Sequence, residues 1–395
     1  MILSYGSFQL CWATMKGLHA ALASSLAYLP GDEQKEVLRA LDMAEKWHTG
    51  QTREAGGDYI EHPVSVAIYL TKLEAPAAVL QAALLHDVVE DNRATEQDVR
   101  SAFGDEVMGL VDGVTKLSKA EYEGRRTERQ IGSLRKLLFT ASEDARVIII
   151  KLADRWHNAQ SLAQLKSEKQ QRIALETLDI YVPFARIMGL WELKRDLENL
   201  CFPLAYPDSY LAWHRAVELE RNKLLPEREA FVKRMNNETS ERVQVYLVQM
   251  SDYELFQKLN GSAEGLEESQ NIDSVLLVIA NEQASALNCY TLLGSIHQHY
   301  AISPTAVRDY INAPRPNGYQ SLHTTIFLSI HHQVRLRLQT QEMYDNASKR
   351  KFSMADHHQD LMGALRSLHR AEVSSEQFVS DLQNHVLNER IRIFT

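Results

Sequence analysis

The segment LLHDVVEDN, residues 84–92, sets one imidazole and three carboxylates, His86, Asp87, Glu90 and Asp91, among Leu84, Leu85, Val88 and Val89. On a helix, positions 86/87 and 90/91 lie one turn apart on the same face. Burying that much charge beside apolar side chains is costly unless the charges are paired or bind a cation. Taken alone, His86 also reads as a hydrogen-bonded core histidine, and Glu90 and Asp91 as solvated helix charges. Two other segments add donors: REAGGDYIEHP delivers His62 just before Pro63, and KLADRWHN places Asp154 after the apolar run VIIIKLA. His62, His86, Asp87 and Asp154 then come from three separate helical elements. Two imidazoles with two carboxylates suit a divalent metal of intermediate hardness such as Mn²⁺, and the lack of cysteine ligands argues against structural zinc. The chemistry implied is hydrolysis, because such a metal acidifies a bound water and polarises a phosphorus-bound oxygen. Glu90 and Asp91 are placed to orient or deprotonate that water. Arg53 and Asn158 are candidates to contact the substrate, although each alone also reads as a surface arginine or a loop asparagine.

These residues need elements to position them, and the chain is long enough to build them twice over. Its 395 residues predict two to three domains. To about residue 240 the apolar spacing is helical, as in Val37, Leu41, Ala44 and Trp47, or Leu134, Leu137, Leu138 and Ala141. Asp32 is placed to cap the helix that runs toward Trp47, Thr95 with Asp98 is spaced as a capping box, and Gly50, Gly104 and Gly189 are stops. Beyond about residue 240 the period changes. In VRLRLQ, Val334, Leu336 and Leu338 alternate with Arg335, Arg337 and Gln339 as in a half-buried strand. Segments 243–250, 273–280 and 321–330 are further strand candidates, and 288–300, 341–370 and 375–389 read as helices. The division expected is an all-α domain over 1–200, a helical connector over 201–240 and a mixed α/β domain over 241–395.

Composition excludes several classes. With 43 Lys and Arg against 52 Asp and Glu, the formal net charge is −9, which argues against a broad basic surface that grips nucleic acid. A small phosphorylated ligand in a locally positive pocket remains compatible. No apolar run approaches the roughly 18 residues of a membrane helix, and GLHAALASSLAYL after Lys16 reads as an amphipathic helix. Cys11, Cys201 and Cys289 are few and far apart, so reduced thiols and a cytoplasmic location are expected.

The set Arg53, His62-Pro63, His86-Asp87, Glu90-Asp91 and Asp154 to Asn158, with VTKL at 114–117 and PFARIMGLWELKRDLENLCF at 183–202, resembles the N-terminal half of the Rel/SpoT enzymes of the bacterial stringent response. The resemblance covers essentially the whole chain. It implies an all-α HD-type hydrolase domain that removes the 3′-pyrophosphate of the alarmone (p)ppGpp with Mn²⁺. By that resemblance His62, His86, Asp87 and Asp154 match the metal ligands, Glu90 and Asp91 the water-activating pair, and Arg53, Asn158 and Ser161 the nucleotide contacts. Glu54, where the family usually has a basic residue, and Ser161, where threonine is usual, are departures.

The second half resembles the family's synthetase domain, of nucleotidyltransferase-like α/β type, in CYTLLGSIHQHY at 289–300 and RDYINAPRPNGYQSLHTT at 308–325. Its catalytic parts look worn away. In NIDSVLLVIAN, Asp273 matches an acidic position with no arginine following, and Arg335 stands where the family has the acidic residue of its E-x-Q-x-R-T strand. Carboxylates hold the Mg²⁺ needed for pyrophosphate transfer, and Arg335 puts a cation there. Tyr319, Gln320 and His323 match the guanine-side motif, which implies a vestigial nucleotide site or a domain kept as scaffold. The ending NERIRIFT resembles the first strand of a TGS domain, which implies a regulatory half beyond it. Two other readings share these residues: an HD-type phosphohydrolase of another nucleotide, and a regulatory protein that senses nucleotides without catalysis.

Overall fold

The computed structural model describes residues 15–53, 56–115, 126–238, 243–263, 266, 273–281, 283–302, 307–315, 318–329 and 332–348. Glu54, Cys11, the helices expected after residue 350 and the NERIRIFT ending lie outside the described residues. The chain falls into two compact units divided between Met188 and Gly189.

The first unit is all-helical: α1 (Met15–Ser25), α2 (Gly31–Trp47), α3 (Glu61–Thr71), α4 (Ala77–Leu85), α5 (Glu96–Val114), α6 (Arg126–Glu143), α7 (Arg146–Gln160), α8 (Ser167–Glu176) and α9 (Val182–Ile187), with a π-type turn at Thr177–Tyr181. Helices α3, α4 and α7 are its centre. Every residue of α3 from His62 to Thr71 is buried, as is α4 from Val79 to Leu85, because these segments are apolar nearly all round and have no face to give to solvent. Helix α2 is the amphipathic contrast, burying only Val37, Ala40, Leu41 and Ala44 against α4.

The start and stop signals are met in part. Thr95 and Asp98 form the reciprocal capping box that their spacing predicts. Asp32 does not cap α2: Pro30 holds the N-cap position, and Asp32 lies inside the first turn, where its charge still suits the helix dipole. Gly104 is a break within α5 rather than its end, with φ +84° and ψ 176°, and the helix resumes after it. The largest departure is LLHDVVEDN. Helix α4 stops at Leu85, and residues 86–92 run as successive turns. His86 Nδ1 lies 2.8 Å from the Ala83 carbonyl, which in a continued helix would accept the Asp87 N–H.

The second unit contains α10 (Trp191–Ala205), the 32-residue α11 (Pro207–Glu238), β1 (Val243–Gln249), α12 (Asp252–Lys258), β2 (Asp273–Ile279), α13 (Ala286–His299), β3 (Arg308–Asp309), β4 (Leu322–Phe327), β5 (Gln333–Thr340) and α14 (Gln341–Ser348). The strands form one mixed sheet in the order β1-β2-β5-β4-β3, with β2 and β5 parallel and the other pairs antiparallel. Its apolar face, built by Val275, Leu277, Leu322, Ile326, Val334, Leu336 and Leu338, packs with Phe231 and Met235 of α11 and with Cys289 and Ile296 of α13. A largely buried ion network ties α10 to α12 and to the turn after β1. Lys194 Nζ reaches Glu198 and Glu254, and Ser251 Oγ donates to Glu198 at 2.6 Å.

Candidate active site

Two helix ends and the middle of a third helix converge in the first unit. His62 sits in the first turn of α3, His86 is the C-cap residue of α4, and Asp154 lies in α7. One ligand atom from each falls within 4.8 Å of the others, and all three residues are buried. His62 Nε2 is 3.2 Å from Asp154 Oδ1 and 3.3 Å from His86 Nε2. Asp87 Oδ2 completes the group at 3.3 Å from His86 Nε2 and 3.6 Å from His62 Nε2. The structure therefore brings together the four expected donors from elements far apart in sequence.

Their orientation is fixed from outside. A carbonyl only accepts, so His86 Nδ1 must donate to Ala83, which turns Nε2 toward the cluster. His62 Nδ1 bonds His157 Nδ1 at 2.9 Å, which likewise leaves Nε2 for the cluster. Tyr59 donates its hydroxyl to Asp87 Oδ2 at 2.6 Å. Lys151 holds Asp154 Oδ2 at 2.8 Å, and the Asn158 amide donates to Asp154 Oδ1 at 2.5 Å. Electrostatics agree with a cation site. Burial pushes His86 down, but the Asp87 and Asp154 carboxylates outweigh it and raise it to about 9. Burial, with His86 beside it, pushes His62 down against the pull of Asp154 and Asp87, while burial together with His62 and Arg53 holds His157 well below the usual histidine value. Burial would raise Asp154, yet Lys151 and the hydrogen bonds from both histidines hold it well below the usual carboxylate range. Two buried imidazole nitrogens and two carboxylate oxygens facing one another fit a divalent metal, whose charge would offset the repulsion among them.

The other expected residues divide. Arg53 NH2 donates to Asn158 Oδ1 at 2.9 Å, so the two proposed substrate contacts touch each other beside Asp154. The turn that returns the chain past Arg53 carries Gly56 at φ +90° and Gly57 at φ +84°, conformations that other residues rarely adopt. It closes through Arg53 N to Gly57 O and Tyr59 N to Gln51 O, which sets Tyr59 next to the cluster. Asp91 accepts from Gln51 Nε2 at 2.6 Å, and its N–H returns to the Asp87 carbonyl at 2.9 Å. Glu90 is half-buried in the same turn. Ser161 is the C-cap residue of α7, and its hydroxyl donates to the Asn158 carbonyl at 3.2 Å. Tyr59, Lys151 and His157 were not singled out from sequence. Lys151 had a signal, a lone lysine inside VIIIKLA one turn before Asp154.

In the second unit, Tyr319 Oη lies 2.9 Å from His323 Nε2, and Gln320 donates to the Ile311 carbonyl at 3.3 Å. Arg335 lies on β5 opposite Ser274 of β2 and Thr325 of β4. Among the described residues no helix is long and apolar enough to cross a membrane.

Comparison with known proteins agrees with both units. Residues 40–191 match the HD domain family model, and residues 250–358 match the model described as a region found in RelA / SpoT proteins. The chain is 32% identical over 388 residues to the bifunctional (p)ppGpp synthase/hydrolase SpoT of Escherichia coli strain K12, covering 93% of this chain and 54% of that protein. It is 34% identical over 337 residues to the guanosine-3′,5′-bis(diphosphate) 3′-pyrophosphohydrolase of Aquifex aeolicus, covering 84% and 47%. It is equally 34% identical over 337 residues to the GTP pyrophosphokinase rsh of Brucella melitensis, covering 84% and 43%. The chain thus spans about half the length of the curated relatives it matches. With an all-α HD domain followed by a mixed sheet domain of synthetase type, it belongs to the Rel/SpoT family.

Proposed function

We propose that this chain hydrolyses the 3′-pyrophosphate of (p)ppGpp to GDP or GTP and pyrophosphate, using Mn²⁺ held by His62, His86, Asp87 and Asp154. The observation that carries this reading is the convergence of three buried donors, His62, His86 and Asp154, with the half-buried Asp87 beside them, each oriented by a second residue. Relatives named as 3′-pyrophosphohydrolases support the substrate. When bound by these four residues, the metal would supply an acidified water and a positive centre for a phosphate oxygen. Asp91, steadied by Gln51, and Glu90 in the same turn take the proton of the attacking water. The water oxygen bonds to the phosphorus, the bond to the 3′-oxygen breaks, and the proton taken from the water is returned to that oxygen, so the ribose leaves with its 3′-hydroxyl. Arg53, Asn158 and Ser161 line the approach to Asp154 and bind the nucleotide. The Arg53 guanidinium suits a phosphate because it presents paired donors.

In this proposal residues 1–200 carry the hydrolase, 201–240 connect, and 241–395 form a synthetase-like domain that no longer makes alarmone and serves as scaffold or regulator. Tyr319, Gln320 and His323 are its vestigial guanine-nucleotide contacts. A cytoplasmic location fits such a substrate and the buried free thiols Cys201 and Cys289.

The test is to incubate the purified chain with ppGpp and Mn²⁺ and follow pyrophosphate release, with a chelator arm, an Asp87→Ala arm and a panel of other nucleotides. Release from ppGpp that stops with chelator and with Asp87→Ala is expected. Turnover by Asp87→Ala in metal-free buffer would overturn the metal mechanism, and faster turnover of another nucleotide would overturn the substrate.

A further inference from the structure

The sheet of the second unit carries charge that the hydrolase chemistry does not use. Strand alternation sends Val334, Leu336 and Leu338 of β5 into the core and leaves Arg335 and Arg337 on the other face, half-buried. Pairing then builds one row across three strands: Arg337 on β5 faces His323 on β4, which faces Arg308 on β3. Arg335 occupies the next row of the same face, between Ser274 and Thr325. Directly paired side chains stand only about 5 Å apart at Cβ. Arg315 reaches the same place from the loop before β4. Its guanidinium carbon lies 4.5 Å from the centre of the Tyr310 ring and 5.7 Å from that of Tyr319, and NH2 donates to Tyr310 Oη at 3.2 Å. The Tyr310 ring in turn meets His323 edge-on at 4.9 Å.

Four guanidiniums therefore surround one imidazole. Burial and then the charges of Arg337, Arg315, Arg335 and Arg308 push His323 down to about 3, so the imidazole stays neutral at neutral pH. Among the described residues no ion pair joins any of the four arginines to a carboxylate. Glu254 attracts Arg335 from a distance but is already engaged by Lys194 and Lys258. Arg337 Nε is buried and has no hydrogen-bond partner, although its NH2 donates to Ser274 Oγ at 2.7 Å. Clustered like charge on adjacent strands opposes folding unless an anion offsets it.

We propose that this face binds the phosphate chain of a nucleoside polyphosphate directly on Arg308, Arg315, Arg335 and Arg337, with no divalent cation between. A synthetase site needs carboxylates because its phosphates arrive with Mg²⁺. Here the arginines take the place of the metal, through bidentate N–H donors that match phosphate oxygens. The reactive phosphates then lack the metal that transfer requires, so the face holds its ligand without consuming it. This deepens the nucleotide-binding reading of the second unit and does not depend on the hydrolase reading.

The test is calorimetric titration of the full chain with GTP in excess chelator, then with Mg²⁺, and with tripolyphosphate as competitor. The expected result is GTP binding in chelator that tripolyphosphate displaces and that Arg335→Glu weakens at least tenfold. The Arg335→Glu variant is checked by its thermal midpoint, and Arg337→Gln, expected to weaken binding severalfold, serves if it does not fold. Binding that appears only with Mg²⁺, or that neither variant weakens, overturns the proposal while leaving a nucleotide site in place. Absence of GTP binding under both conditions overturns the proposal and the nucleotide site together.

Discussion

Lys151 and Asp154, three residues apart on α7 and both buried, form a 2.8 Å ion pair that assigns the two oxygens of Asp154 different duties. Oδ2 is neutralised by the lysine, and Oδ1 is left for the histidines and the Asn158 amide. Replacing Lys151 by methionine keeps the volume and strands the carboxylate. Removing one partner of a buried pair typically costs about 3–5 kcal/mol. The expected outcome is a marked fall in thermal midpoint that Mn²⁺ partly reverses, since a ligand at 100 times its Kd restores about 2.7 kcal/mol. An unchanged midpoint in metal-free buffer would show that the pair contributes nothing.

Tyr59 offers a milder perturbation of the same site. Its hydroxyl donates to Asp87 Oδ2, the oxygen that faces both histidines. Losing one such outer contact usually lowers metal affinity or activity about 10–100-fold. The Tyr59→Phe chain should therefore bind Mn²⁺ more weakly and hydrolyse ppGpp more slowly, with stability changed by only about 1 kcal/mol. A metal titration separates the two effects. Equal Mn²⁺ affinity in parent and variant would rule out this orienting role.

What the sequence made legible was the chemistry of the donors. His62, His86, Asp87 and Asp154 stood out because a charge amid apolar residues has few structural explanations, and all four meet in space. Less legible were the residues that aim them. Tyr59 and His157 carry no such signal, since their value depends on a turn at 51–59 and on α3 packing beside α7. The helix expected through Asp91 failed for a related reason. Apolar spacing continues past Leu85, but the His86 ring takes the carbonyl that the next helical N–H would need. In the second unit, alternation alone placed β5 with the right face buried, because a one-residue slip would put Arg335 and Arg337 into the core.

Gly113 tests packing in the first unit. Within a helix Gly→Ala ordinarily stabilises, by at most about 1 kcal/mol, and Gly113 lies in the last turn of α5. At Gly113 a Cβ would lie 2.6 Å from Thr140 Cγ2 and 2.9 Å from Val147 Cγ2, so α5 approaches α6 and α7 too closely to admit it. Overpacking of this kind costs about 1–3 kcal/mol, and the contact should win. Chemical denaturation of Gly113→Ala is expected to show a lower midpoint with an unchanged slope. A higher midpoint would mean that the three helices separate easily.

Glu254 gives the second unit a pH dependence of definite sign. Burial raises its pKa, but Lys194 and Lys258 outweigh burial and hold it down at about 2. A carboxyl depressed on folding contributes stability above its unfolded value near 4.3, and that stability is lost as pH falls toward the folded value. About a third of the Glu254 side chain stays exposed, so solvent screening makes the contribution modest. Burial pushes the neighbouring Glu198 the other way, which makes its protonation on acidification easier rather than harder. Between about pH 4.5 and 2, Glu254→Gln should therefore lose less stability than the parent chain. Parallel slopes of denaturation midpoint against pH would remove Glu254 from the account.

The last expectation is that the chain makes no alarmone from ATP and GDP or GTP. Pyrophosphate transfer needs Mg²⁺ on the phosphates and carboxylates to hold it. On the polar face of the sheet, β5 presents Arg335 and Arg337 instead, and their partners across the strands are Ser274, Leu276, Thr325 and His323 rather than acids. Charge is what decides the case. Arg335 opposes a divalent cation where a carboxylate would attract it, so a single reversal changes both sign and ligand count. Arg335→Glu alone leaves Arg337 one residue row away and has Ser274 and Thr325 rather than an acid directly opposite it, so synthesis should stay absent in the variant as in the parent. Product formation from labelled ATP, compared with a boiled control, is the measurement. Synthesis by the parent would mean that the metal is held elsewhere, and synthesis by the variant alone would mean that Arg335 is the single block.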